Sequence, residues 1–240
     1  MKKLAIIFVV TCATAAVGWV GLRTAWEHYF PKSVIHYRLD VTFEVDGIRV
    51  TGSSVQELVV SRALGLSEKR ASWRAFGEAV VVDLPGHGAI FVLLTSPTVD
   101  GVYTGSTKGR FDNLIYDACS LKEKRAGKSW SEFVRMTGKL SGACNVPPEE
   151  LPLMVYFKDI SDPETIQRLI PEQVQERFGP NVDFVGATVT ITEEPLTLGV
   201  GSRLPWLSDY PEPALVTGKP STNPPFSQII KHGYFRRLER

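Results

Sequence analysis

The chain has few of the residues that build catalytic and metal centres. Its 240 residues include four histidines, three cysteines and three methionines. His28, His36, His87 and His232 are scattered, with no pair at i, i+2 or i, i+4, so no local metal motif exists and no metal or cofactor is called for. No Gly-x-Ser-x-Gly elbow leads from a strand into a helix. Thr104-Gly105-Ser106-Thr107-Lys108-Gly109 only faintly resembles a phosphate loop. It lacks the Gly-x-x-x-x-Gly-Lys-Ser/Thr spacing and a strand–loop–helix setting, and it reads as a flexible loop. An excess of one charge is missing too: 27 Lys and Arg stand against 26 Asp and Glu, a net +1 that gives no reason to expect nucleic acid. The 43% hydrophobic and 22% charged content is that of an ordinary folded globule.

One long apolar run is present. From Leu4 to Leu22 no residue is charged; Lys2 and Lys3 precede the run and Arg23 closes it. As a helix it would reach about 28 Å, close to the ~30 Å of a hydrocarbon core. A cleaved signal peptide would use Ala13-Thr14-Ala15 as its small-x-small site. A lipoprotein would use Cys12, but Thr11 stands where a smaller residue is wanted. Apolar character continues through Val17, Trp19, Val20 and Leu22, which favours a retained anchor, residues 1–23. The basic amino end then stays in the cytoplasm and the rest is exported. The expected location is a bacterial inner membrane, crossed once, with the main domain periplasmic. Trp26, Tyr29 and Phe30 fall where an interfacial aromatic belt would lie, or else pack on the domain.

Residues 24–33 form a connector in which Pro31 stops the helix. About 205 residues follow, enough for one fair-sized domain or two small ones. The expected fold is α+β: an N-terminal transmembrane helix, then a mostly antiparallel sheet domain (34–194) with short packed helices, then a Pro-rich extension (195–240). Pro147-Pro148 marks a possible internal boundary. Cys119 and Cys144 are the two cysteines of the exported part, and in an oxidising envelope they most simply form one disulfide. Two separate buried thiols are the alternative.

Ile35, Tyr37, Leu39, Val41, Phe43 and Val45 alternate with His36, Arg38, Asp40, Thr42 and Glu44, the period of a strand with one wet face. Asp46-Gly47 supplies a hairpin turn, and Ile48–Val60 returns as its partner, with a bulge or crossing point at residues 51–54. Ser61 to Phe76 is basic and reads as loop or weak helix. Ala79–Leu84 and Ala89–Thr95 are apolar on both faces and belong in the middle of a covered sheet. Phe111–Ala118 suggests a short helix. Ser129-Trp130-Ser131-Glu132 has the form of a capping box opening an amphipathic helix. Leu153–Phe157 and Val182–Thr192 read as strands, the latter with Val185, Ala187, Val189 and Ile191 on one face. Asp162-Pro163 opens a turn or short helix. Pro171–Phe178 reads as a helix ended by Gly179. The Pro-rich extension wraps a surface or stays mobile, with Trp206 and Leu207 as its docking piece.

The N-terminal apolar run, the Thr51-Gly52-Ser53-Ser54-Val55 return, the Val82-Asp83-Leu84 strand and the Leu204-Pro205-Trp206-Leu207 segment together resemble a family of uncharacterised, membrane-anchored bacterial envelope proteins. The resemblance implies this architecture and no activity.

His87, between glycines in a tight connection, is the candidate acid or base; it would need a carboxylate such as Asp83, Asp100 or Asp112, or a hydroxyl, within hydrogen-bond reach. Ser53 and Ser54 more simply shape a bulge, and Asp159 and Asp162 are turn residues before a cation site. The basic stretch containing Lys122, Lys124, Arg125, Lys128, Arg135 and Lys139 is a candidate surface for anionic headgroups or a partner protein. The expected function is a non-catalytic accessory or interaction protein of the envelope. The alternatives are an envelope hydrolase using His87, or a small-ligand or lipid-binding module.

Overall fold

The period-two pattern of residues 34–45 is realised as a strand in a computed structural model, which describes Trp19 and residues 29–62, 71–95, 114–218 and 224–238. In β1 (Lys32–Val45) the six alternating apolar residues from Ile35 to Val45 are buried. Asp46 and Gly47 both take positive φ, the geometry of the tight hairpin turn. β2 (Ile48–Arg62) then pairs with β1 without a break from Val45↔Ile48 to Lys32↔Ser61. The chain continues as β3 (Ala71–Glu78), β4 (Val80–Leu84), β5 (Gly88–Val92), β6 (Ala143–Val146), β7 (Met154–Phe157), β8 (Ile166–Leu169), β9 (Val182–Thr192) and β10 (Arg236–Arg237). A six-stranded sheet has the order β10-β3-β2-β1-β9-β6, a four-stranded sheet the order β4-β5-β7-β8, and every described pairing is antiparallel. The architecture is thus mixed, with mostly antiparallel sheets and a few short helices.

Only Ala79 separates β3 from β4, so one length of chain leaves the first sheet and enters the second. Gly77, at φ 128°, makes the bend. β4 then crosses β2 at Gly52. A Cβ on Gly52 would lie 2.7 Å from Val82 Cγ2 and 2.8 Å from the Val81 carbonyl carbon, so only glycine allows the approach. The core lies between the sheets, where Val80, Val82, Ile90 and Val92 meet the buried face of β1.

Three short helices, α1 (Leu114–Ala118), α2 (Leu121–Arg125) and α3 (Trp130–Thr137), cover the rest of that face. The capping box of α3 is complete: the Ser129 hydroxyl accepts from the Glu132 amide, and the Glu132 carboxylate accepts from the Ser129 amide at 2.8 Å. The Ser129 hydroxyl, donating to the Glu132 carboxylate at 2.7 Å, and the Ser129 amide together hold the Glu132 carboxyl below its ordinary pKa. Phe133 is fully buried against Trp73, Tyr116 and Trp130. The Cys119–Cys144 disulfide joins the end of α1 to β6, with Cα atoms 5.3 Å apart and 25 residues of separation. Reduction under native conditions is expected to remove about 3 kcal/mol of stability in the chain-entropy description. Urea denaturation with and without reductant checks this; coincident curves would contradict it.

Several expectations are corrected. Residues 71–78 form a strand rather than loop or helix, because Trp73 and Ala75 pack on the core while Arg74 points to water. Of the bulge or crossing point expected at Thr51–Ser54, the crossing is what occurs, at Gly52; the bulge lies instead between β1 and β9, where Thr42 pairs with Gly186 and Phe43 with Phe184. The extra residue, Val185, is thereby turned outward and is 44% exposed, while Phe184 packs on Phe43. β4 is an edge strand rather than a central one, though the sheet it belongs to is covered on both faces. β8 was not foreseen. Apart from Trp19, the run from Leu4 to Leu22 lies outside the described residues, as do the Thr104–Gly109 loop, Asp100 and Asp112. Among the described residues no helix is long and apolar enough to cross a membrane.

The Pro-rich extension wraps the second sheet. Residues 193–198 first cross the outer face of the first sheet, where Val55 and the Thr197 hydroxyl and amide exchange hydrogen bonds. Val200, Leu204, Leu207, Leu215, Ile230 and Phe235 then bury themselves against Ala79, Phe91, Leu93, Leu153 and Val155. β10 closes the path by pairing with β3.

His232, in this wrap, is buried, and its Nδ1 accepts the Ser208 amide hydrogen at 3.0 Å, so the ring is neutral there. Burial pushes its pKa below the ordinary 6.5. The folded state therefore binds fewer protons than the unfolded one. The stability this group contributes is full above pH 6.5 and is lost as pH falls through the folded pKa. His232→Gln, which cannot protonate, is expected to show a smaller fall in melting temperature than the native chain on going from about pH 7 to about pH 5. Equal falls would contradict the assignment.

Candidate functional site

The extension leaves one end of the second sheet's outer face uncovered, and a cleft of about 530 Å³ opens there. Its floor is the half-buried Phe157 from β7, with the fully buried Phe91 of β5 packed edge to face against it at 5.6 Å. Phe91 comes from the apolar strand and Phe157 ends β7. Trp206 backs the floor, 5.4 Å from Phe157, and spends its indole N–H on the carbonyl of Ile160 at 2.8 Å. The expected docking piece is thus used by the chain itself.

One wall is the β4–β5 turn. The His87 amide donates to the Leu84 carbonyl at 2.9 Å, with Pro85 in the second position and Gly86 at φ 77° in the third, as a type II turn requires. His87 follows on the rim, exposed. The opposite wall is the β7–β8 turn with Lys158 and Ile160. Asp159 organises that turn by accepting from the Ser161 amide at 2.9 Å and hydroxyl at 2.7 Å, which lowers its pKa, while Asp162 caps the next turn through the Glu164 amide. Both aspartates act as turn residues.

At the mouth, Asp83 on β4 forms an ion pair with Arg203, in the short helix Val200–Arg203. The carboxylate nearest to His87 in sequence is therefore directed to a guanidinium. The rim has a lysine, an arginine, one carboxylate and an imidazole over the Phe157 ring. That arrangement suits an apolar group carrying a polar or anionic end. Among the described residues no three His, Cys, Asp or Glu side chains converge as a metal centre would need.

The other sequence candidates lie elsewhere. Lys124, Arg125 and Lys128 belong to the helical layer, with the Arg125 guanidinium 4.0 Å from the Trp130 ring centre. Lys122 lies in α2, and its side chain is not among the described ones. The Ser54 hydroxyl donates to the Glu78 carbonyl and so meets no base, and the Asp40 carboxylate that accepts from the Ser53 hydroxyl is itself paired with Arg38.

A polar network escaped the sequence reading. On the first sheet's outer face Arg38 bridges Asp40 and Glu194, which raises its pKa, and His36 lies between the Glu194 carbonyl at 3.0 Å and Glu57 at 3.3 Å. Glu57 and Glu78 are buried. The sequence signal was faint: polar positions of an alternating strand that happen to face a crossing segment.

No protein-family model, no characterised protein and no solved structure matches this chain.

Proposed function

We propose that this chain is a single-pass protein of a bacterial inner membrane, held by Leu4–Leu22 with its N-terminus in the cytoplasm. Its exported domain works by binding a partner protein of the envelope. The observation that supports this reading is the open cleft over Phe91 and Phe157, rimmed by His87, Lys158 and the Asp83–Arg203 pair. A double-sheet scaffold with a cleft over the half-buried Phe157 ring suits insertion of a partner's side chain better than reaction chemistry. A photo-reactive residue at position 87 or 158 of the full-length chain, expressed in cells, is expected to yield one or two discrete adducts identifiable by mass spectrometry. The same probe at Ile48, on the hairpin tip, yields none. Identical patterns at all three positions, or no adduct at any, would overturn it.

The same cleft volume favours a second reading, a small-ligand module, since about 300–1,000 Å³ is usual for such sites. A hydrolase using His87 draws less support, because the Asp83 carboxylate is engaged by Arg203.

A further inference from the structure

We infer that the helical layer α2–α3 rests on an anionic lipid surface, an inference that depends on the anchored reading above. The sequence leaves only the eight residues 24–31 between Arg23 and the start of β1, and even fully extended they span no more than about 30 Å. The domain end at Lys32 is therefore held near the bilayer. The helical layer sits at that same end. A Cβ on Gly138, just past α3, would lie 2.6 Å from Ser33 Oγ, and Trp73, packed on Phe133, pairs with Val60, which pairs with Ser33.

The charge there is one-sided. Lys32, Lys124, Lys128, Arg135 and Lys139 are exposed and Arg125 lies half-exposed over Trp130. Against these six, among the described side chains from Leu121 to Lys139, stand Glu123 and Glu132, and the Glu132 carboxylate already accepts the Ser129 amide and hydroxyl. Tyr29 and Val34, beside Lys32, are 61% and 45% exposed, as suits side chains at the level of headgroups. A chain with a net charge of only +1 has thus gathered cations on the face nearest its anchor.

The test uses the full-length chain in lipid nanodiscs of phosphatidylcholine alone or mixed with phosphatidylglycerol, with lysine acylation rates read by mass spectrometry. Lys158, on the cleft rim, is the internal reference. With phosphatidylglycerol, Lys124, Lys128 and Lys139 are expected to react roughly tenfold more slowly than in phosphatidylcholine alone, and high salt restores the rate. Arg135→Glu combined with Lys139→Glu is expected to restore it at Lys124 and Lys128. Equal rates in both lipids, with the chain still eluting with the discs, would overturn this inference and leave the anchor intact. A chain that does not elute with the discs would overturn both.

Discussion

Alanine at position 52 is expected to destabilise the protein by about 3 kcal/mol, the upper part of the range for an overpacked core. The added methyl meets the Val81 carbonyl and Val82 Cγ2, that is, backbone on one side and a buried side chain on the other. Neither yields without moving β4 away from β2, and that crossing holds the two sheets face to face. For a chain of this size the melting temperature should fall by roughly 6–12 °C. Thr51→Ala, at an exposed neighbouring position whose hydroxyl meets Thr42 across the hairpin, is the control and should shift it far less. Thermal unfolding followed by circular dichroism decides the matter, and Gly52→Ala melting with the native chain would mean that the close approach is not structural.

Glu78→Ala should cost about 2–3 kcal/mol, the upper part of the about 1–3 for one buried donor left without an acceptor, since Val200 is buried while Gly199 is exposed and its amide can turn to water. The Glu78 side chain is 2% exposed, and its Oε2 accepts the amide hydrogens of both Gly199 and Val200, the latter at 2.8 Å. This carboxylate is the point where the chain, having crossed the first sheet, is handed to the second. Its loss strands the Val200 amide, turns that of Gly199 to water and frees the start of the wrap. The variant should therefore be cut by protease near residues 199–204 well below its global unfolding temperature. Glu78→Gln keeps an oxygen acceptor but loses the charge, so its effect should be smaller, about 1–2 kcal/mol. Cleavage at native-like rates in the alanine variant would show that the apolar contacts of Leu204, Leu207 and Phe235 hold the wrap alone.

The elements readable in the sequence were those whose cause is local. The β1–β2 hairpin is written in an alternation closed by Asp46-Gly47; α3 in a capping box; the end of the helix at Val174–Phe178 in Gly179, at φ 107°. The disulfide followed from the count of cysteines and the expectation of an oxidising compartment. What stayed hidden depends on distant chain. The bulge at Val185 reverses a pattern that local alternation reads the other way. β3 is a strand because β2 and α3 are there to receive Trp73, and β8 has only four residues. Glu57 and Glu78 look like surface residues until residues 193–200 pass over them. For the cleft, His87 and its turn were legible from Pro-Gly-His-Gly. Its floor and far wall were not, because Phe157, Ile160 and Arg203 join it from separate parts of the chain.

The sheet order carries a consequence for time. β1, the spine of the first sheet, finds its second neighbour in β9, with Tyr37 opposite Ile191, about 150 residues further along the chain. As the chain is made, amino end first, the hairpin can form early and must then wait with one edge of β1 open until β9 arrives. Closing so long a loop is an entropic barrier that no local contact offsets, so folding should be slow for a domain of this size. Through that interval the backbone of residues 36–45 is an unpaired template for other strands, the hazard any waiting edge presents.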